Sequence, residues 1–139
     1  GNVIDQFSLT FEKGRVVQFS ARQGEQILSD LLRIDEGACM LGEVALVPNS
    51  SPISRSDLLF YNTLLDENAS CHLALGAAYG FSLQGGEQMA EEEFVSRGGN
   101  ISLIHEDFMI GSGELDVDGE LADGSREAVL RSGEWAFPL

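Results

Sequence analysis

The sequence contains few basic residues and only two cysteines. Eight lysines and arginines stand against 23 aspartates and glutamates, which gives the 139 residues a formal net charge of −15. A negative field of this size repels phosphate backbones and attracts cations, so it argues against a nucleic-acid partner and favours metal ions or amines. Cys39 and Cys71 form neither a CxxC pair nor a disulfide framework. We therefore expect a reducing, cytoplasmic location.

Long apolar runs and several common catalytic motifs are also lacking. A membrane helix needs about 18 to 20 consecutive apolar residues, and Glu43, Glu67, His105 or Asp107 breaks each candidate run. We expect no membrane partner. The sequence contains no Gly-x-Ser-x-Gly elbow, Walker loop or dinucleotide-binding fingerprint. Any hydrolytic activity would therefore have to depend on metal.

The apolar content of 43% is ample for a globular core. The pattern predicts one α+β domain over residues 1–139, with a mostly antiparallel β-sheet and a few helices. In chain order, we predict a hairpin turning at Glu12–Arg15, a helix over 24–34, a buried strand over 41–48, a loop over 49–57 and a helix over 58–70. Residues 71–79 fit either a continuation of that helix or a strand, and we favour the strand. An acidic helix over 85–99 and a β-meander follow, with turns at Asp118–Gly119, Asp123–Gly124 and Ser132–Gly133.

Ionisable residues interrupt one apolar segment, "ISLIHEDFMIG" at 101–111. If this segment is a strand, His105 and Asp107 share a face and Glu106 points to the other. An imidazole beside a carboxylate makes half of a metal site. A hydrogen-bonded histidine–aspartate pair that holds no metal is the alternative.

Two further ionisable residues stand in strand-like apolar segments. Glu43 in "LGEVALV" requires a cation or hydrogen bonds if it is ionised, or else stays protonated. His72 follows Cys71, but adjacent residues of a strand face opposite sides and cannot share an ion. We therefore interpret Cys71 as a small buried residue.

Several ordered motifs together resemble one known family. They are "GEVALV" at 42–47, "SPIS" at 51–54, "FYNTLLDENASCHLALGAAY" at 60–79 and "HEDFMIGSGELDVDG" at 105–119. With the opening hairpin and the closing "DGSREAVLRSGEWAF", the similarity covers essentially all 139 residues. The sequence resembles the C-terminal part of peptidase family M29, the bacterial thermophilic-type metalloaminopeptidases. The resemblance implies a fragment of a larger two-domain metallopeptidase, without its large N-terminal domain.

The resemblance also implies a function and a site. Family members are cytoplasmic, homodimeric exopeptidases that remove amino-terminal residues from peptides with two divalent ions, such as zinc or cobalt. Matching motif to motif places the metal ligands of the family at Glu43, His72, Tyr79, His105 and Asp107. A further acidic ligand of the family precedes Gly1, so this chain would be catalytically incomplete.

Two residues are candidates for direct roles in the implied reaction, in which water activated by two metal ions attacks the peptide. The Tyr79 hydroxyl could hold the developing oxyanion, whereas the alternative is a core tyrosine with a satisfied hydroxyl. Glu67 could carry the proton to the leaving amine or grip the α-amine of the substrate. A helix-capping or core hydrogen-bonding role is the alternative for Glu67.

A second function, from another class, is a non-catalytic acidic module that mediates dimerisation or partner binding. In that case the histidines would be hydrogen-bonded core groups. A change of thermal stability with a chelator separates the two hypotheses, because only a metal site couples ion binding to folding.

Overall fold

A computed structural model describes residues 3–138 of the chain. It contains short strands and short helices. The strands are β1 (Asp5–Glu12), β2 (Arg15–Gln23), β3 (Leu41–Ala45), β4 (His72–Gly76), β5 (His105–Met109), β6 (Val117–Glu120), β7 (Arg126–Arg131) and β8 (Glu134–Trp135). The α-helices are α1 (Glu25–Leu31), α2 (Pro52–Ser56), α3 (Thr63–Asp66) and α4 (Glu91–Ser96). Three 3-10 turns lie at Glu67–Ala69, Gly80–Ser82 and Gly86–Gln88.

The strands form three small sheets, with strand orders β1-β2, β3-β4-β5 and β6-β7-β8. The first and third sheets are antiparallel. The prediction of an α+β fold with mostly antiparallel sheets and a few helices is confirmed.

The opening hairpin is confirmed together with its turn. Glu12 pairs with Arg15, so two residues make the connection. Lys13 and Gly14 both have positive φ, 50° and 81°, as the tight turns that suit twisted hairpins require. The register shifts between Thr10 and Phe11, which marks a bulge in the hairpin.

Helix α1 is shorter than the three turns predicted over 24–34. After Leu32 the amides bond three residues back instead of four, with Arg33 N donating to Asp30 O at 3.1 Å. The Asp35 carboxylate then accepts from the amides of Gly37 and Ala38. These bonds give the backbone an alternative to the helix, as aspartate side chains often do.

Several other boundaries differ from the sequence pattern. Strand β3 is half-buried rather than buried, and Val44 is 60% exposed. The loop over 49–57 contains α2, whose first turn has Pro52 and whose Ser51 side chain accepts from Ser54 N. Serine at the cap and proline in the first turn are both favourable. The helix over 58–70 begins only at Thr63, and a strand follows as predicted.

The tail forms the predicted β-meander, with one turn misplaced. Asp123–Gly124 and Ser132–Gly133 are turns. Asp118–Gly119 lies inside β6, because Asp118 pairs with Ala128 and Gly119 with Glu127 across the ladder. Tertiary pairing overrode the local turn preference of Asp-Gly there.

The chain divides into two compact units. The first comprises Gly1–Glu43 and Ala74–Glu106, and the second Val44–Leu73 and Asp107–Leu139. Buried apolar residues of the first unit are Leu28, Leu32, Ala38, Ala74, Leu75 and Phe94, and those of the second are Cys71 and Leu130.

Cys71 is a buried residue of the second unit, as predicted, with 1% of its surface exposed. Its thiol donates to Val47 O and accepts from Val47 N, each at 3.2 Å.

Residues 3–138 include no helix that is both long and apolar enough to cross a membrane.

Candidate metal centre

Three side chains that commonly bind metals meet in the second unit. Glu67 begins a 3-10 turn, His72 is the first residue of β4 and Asp107 is the third of β5. One ligand atom from each of the three lies within 4.8 Å of the other two. Zinc bonds to nitrogen and oxygen are about 2.0 to 2.2 Å long. Modest side-chain rotations would therefore close this set, the Glu67 cluster, around a single ion.

The orientation of His72 is fixed by a backbone carbonyl. Its Nδ1 lies 2.9 Å from Ser70 O. Because a carbonyl oxygen only accepts, Nδ1 carries the hydrogen, and the neutral ring keeps its electron pair on Nε2. Metal-binding histidines usually donate their other ring N–H in this way. The ring is also 98% buried, since His72 is only 2% exposed, so its direction is tightly constrained.

A second group of candidate side chains lies in the first unit. His105, the first residue of β5, places Nε2 at 3.5 Å from Glu43 Oε2. The ring centroids of His105 and Tyr79 are 4.5 Å apart, with an interplanar angle of 41°. Tyr79 also stacks on Phe81, with centroids 5.1 Å apart. We call Glu43, Tyr79 and His105 the Glu43 cluster.

A backbone carbonyl orients His105, as one does for His72. His105 Nδ1 donates to Ala77 O at 2.7 Å, so the electron pair of the neutral ring is on Nε2, next to the Glu43 carboxylate. The contact between these two electron-rich atoms is favourable only when they share a proton or a cation. Both side chains are largely buried, with exposed fractions of 15% for His105 and 23% for Glu43. This donor chemistry suits a divalent ion.

The structure gives each predicted ligand its neighbours within its own unit. In the second unit Asp107 lies with Glu67 and His72. In the first unit His105 lies with Glu43 and Tyr79. The strand itself is as expected, with Glu106 exposed between two half-buried residues.

Some contributions could not be read from the sequence. Glu67 was considered for proton transfer or amine binding, and the structure places it among potential metal ligands. The carbonyls of Ser70 and Ala77 set the tautomers of the two histidines. A backbone acceptor carries no side-chain signal, so nothing in the sequence could have indicated these two.

The family model of the thermophilic metalloproteases (M29) matches residues 1–135. The chain belongs to this family. This confirms the resemblance found in the sequence motifs.

Individual relatives agree with the family match. The chain is 58% identical over 137 residues to aminopeptidase AmpS of Bacillus subtilis (strain 168), covering 99% of this chain and 33% of that protein. It is 59% identical over 139 residues to aminopeptidase 2 of Geobacillus stearothermophilus, covering 100% of this chain and 34% of the relative. The solved structure of wild-type AmpT from Thermus thermophilus matches with a TM-score of 0.86 and 48% identity, over 99% of this chain and 33% of that one. The chain thus spans about a third of the length of these relatives.

Proposed function

We propose that this chain carries metal-binding residues of a metal-dependent aminopeptidase, an enzyme that removes amino-terminal residues from peptides by hydrolysis. The observation that carries the proposal is that ligand atoms of His72 and Asp107 lie within 4.8 Å of each other and of a Glu67 carboxylate oxygen, in a chain of the M29 family. The relatives named aminopeptidases support the same activity.

In this proposal the chain binds two divalent ions, zinc, cobalt or similar, through the ligand set that the family resemblance implies. Imidazole nitrogen and carboxylate oxygen are donors that such ions accept. Glu43, His72, Tyr79, His105 and Asp107 are the proposed ligands. When bound, the ions would polarise the peptide carbonyl and make a water molecule more acidic.

The protein side chains supply the remaining steps. The Tyr79 hydroxyl donates a hydrogen bond to the oxygen on which negative charge develops. The Glu67 carboxylate takes a proton from the attacking water and delivers it to the leaving amine. The half-buried Glu67 carboxylate lies beside His72 and Asp107, so it can exchange a proton with either of them. The alternative role of Glu67 is to bind the α-amine of the substrate.

The surface charge favours a substrate with a free amino terminus. A net charge of −15 attracts the protonated α-amine of a peptide and raises its local concentration. Cys39 and Cys71 are both thiols, which is compatible with the proposed cytoplasmic location. We also propose that the enzyme acts as a homodimer, as its family resemblance implies.

We further propose that this chain is catalytically incomplete by itself. It spans 33% of the length of aminopeptidase AmpS, and the family resemblance implies one further acidic ligand outside residues 1–139. Binding of a metal ion and turnover of a peptide are then separable properties, and each has its own test.

Thermal unfolding tests metal binding by this chain. We expect Zn²⁺ or Co²⁺ to raise the melting temperature and EDTA to reverse the rise, since a ligand at about 100 times its Kd adds about 2.7 kcal/mol of stability. His72→Ala should abolish the shift, and Glu106→Gln should leave it intact. An unchanged melting temperature with either metal would instead support a non-catalytic acidic module.

Peptide hydrolysis tests the activity. The longer protein, with its upstream segment restored, should release the first residue of an unblocked peptide and spare the same peptide with an acetylated amine. Cleavage of both peptides would exclude an aminopeptidase, and full activity of residues 1–139 alone would exclude the proposed incompleteness.

A further inference from the structure

Asp35 accepts an unusual number of hydrogen bonds for one carboxylate. Oδ1 accepts from the amides of Gly37 and Ala38, each at 2.8 Å, and Oδ2 accepts from the Leu103 amide at 2.6 Å. The Ser102 hydroxyl donates to the same carboxylate, at 2.9 Å from Oδ1 and 3.0 Å from Oδ2. One side chain thus joins the turn after α1 to residues 102–103. This is a contact across more than 60 residues of sequence within the first unit.

The segment that Asp35 holds has no regular secondary structure. Residues 100–104 lie between α4 and β5. Their fixed points are polar contacts: Asn100 Nδ2 donates to the carbonyls of Gly37 and Gly76, at 2.9 and 2.6 Å. Ile101 and Leu103 are exposed, so apolar packing contributes little to fixing them. The position of this segment therefore depends on its hydrogen bonds.

The same segment leads directly into His105. The Ser102 hydroxyl that donates to Asp35 accepts from the Ile104 amide at 3.2 Å. Ile104 O accepts from Ala77 N at 2.7 Å, and Ala77 O accepts from His105 Nδ1, also at 2.7 Å. A continuous series of hydrogen bonds therefore connects the Asp35 carboxylate to the imidazole of His105.

Close packing leaves the segment little freedom to move once it is bound in this way. A Cβ built on Gly37 would meet Ile101 O and the Ser102 side chain, so the turn after α1 lies directly against residues 101–102. Loss of the Asp35 contacts removes the hydrogen bonds that join residues 102–103 to this turn and leaves the bond from Asn100 Nδ2 to Gly37 O.

We propose that Asp35 is a positioning residue for His105, which holds the 102–104 backbone so that the Nε2 atom faces Glu43. The inference rests on the proposed function for its metal-binding consequence, because His105 is a proposed ligand. Partners that orient a ligand commonly change metal affinity by about 10-fold to 100-fold when they are lost. The lower end of this range is expected here, since Asp35 acts through Ser102 and Ile104.

Two substitutions separate the contacts of Asp35. Asp35→Asn keeps the shape, but its NH₂ group must face either the Leu103 amide or the amides of Gly37 and Ala38, all of which are donors. Ser102→Ala removes one hydroxyl and leaves the carboxylate. Asp123→Asn is the matched control, because Asp123 also accepts from an amide and a hydroxyl, both of Ser125, in a turn of the second unit.

The chain offers a direct readout, because His72 and His105 are its only two histidines. In the metal-free protein, the imidazole nitrogen NMR signal of His105 reports its orientation and that of His72 is an internal reference. We expect Asp35→Asn and Ser102→Ala to shift the His105 signal and leave that of His72 in place. Asp123→Asn should change neither signal.

Calorimetric titration with Co²⁺ gives the functional consequence. We expect Asp35→Asn to raise the Kd about 10-fold, Ser102→Ala to raise it less, and Asp123→Asn to leave it unchanged. An unmoved His105 signal in a folded Asp35→Asn protein, or equal shifts of both histidines, would overturn the positioning role. If Asp35→Asn does not fold, Ser102→Ala decides the same question. If the unsubstituted chain binds no Co²⁺, the proposed function of this chain fails, and the metal-free His105 signal still decides the role of Asp35.

Discussion

His105 Nε2 lies 3.5 Å from Glu43 Oε2, while Nδ1 of the same ring donates to the carbonyl of Ala77. The backbone contact determines which ring nitrogen faces the carboxylate. A largely buried imidazole and carboxylate placed in this way attract a cation, because neither can donate a hydrogen bond to the other while both are unprotonated. A shared cation would stabilise both side chains, which stand in apolar segments of the sequence.

Neighbouring carboxylates of β5 should differ sharply in metal binding. Asp107→Asn removes a charge from the Glu67 cluster, and we expect the Kd for Co²⁺ or Zn²⁺ to rise at least about 10-fold, as for other perturbed metal shells. Glu106→Gln removes the same charge from an exposed position one residue away, so the Kd should stay unchanged. Calorimetric titration of both variants measures the difference. An equal loss of metal affinity in both variants would mean that net charge, and not direct binding of the ion by Asp107, causes the effect.

Two glycines with left-handed backbone should tolerate alanine differently. Gly124 and Gly133 have φ of 81° and 75°, but a Cβ on Gly124 meets nothing within 4 Å, whereas one on Gly133 would lie 2.5 Å from Ser112 O. Gly124→Ala should cost about 1 to 2 kcal/mol from backbone strain alone. Gly133→Ala should cost about 2 to 5 kcal/mol, because overpacking adds to the strain.

Urea unfolding followed by the fluorescence of Trp135 measures both free energies of unfolding. Trp135 is the only tryptophan, so the signal comes from β8. Equal costs at the two glycines would show that the second unit opens to accept a side chain near Ser112.

Asp35 should make the stability of the chain depend on acid pH. Hydrogen bonds lower the pKa of Asp35 below its ordinary value of 3.8, with the Leu103 amide as the largest cause, opposed by burial and assisted by the Ser102 hydroxyl. A carboxyl group whose folded pKa is depressed contributes stability that is present above the unfolded pKa and is lost as the pH falls through the folded pKa. The contribution of Asp35 is therefore complete at neutral pH and declines below pH 3.8.

Melting temperatures of the unsubstituted chain and of Asp35→Asn, measured between neutral pH and strong acid, test the direction of this pH dependence. The gap between the two proteins should be widest at neutral pH and narrow once the pH falls below 3.8. A gap that widens in acid would contradict the direction of the pKa change.

The local sequence pattern was sufficient to predict much of the fold. Alternating apolar residues around Lys13–Gly14 fixed the first hairpin, and Ser132–Gly133 marked a true turn of the meander. The pattern was wrong at Asp118–Gly119, where pairing with β7 extends the strand, and it overextended α1, where Asp35 binds backbone amides beyond the helix. In each case a distant partner or a side-chain contact competed with the local preference and prevailed.

The candidate site was also predicted only in part from the sequence. The sequence by itself singled out the candidate residues, because ionisable groups such as His72 and Asp107 stand out in apolar segments and their motifs match one family. Only the tertiary structure showed the neighbours that each residue has within its own unit, Glu67 for Asp107 and Glu43 for His105. The reason is that residues two apart on a strand share a face but lie at successive positions along it. Each therefore meets whatever the rest of the chain brings to that position.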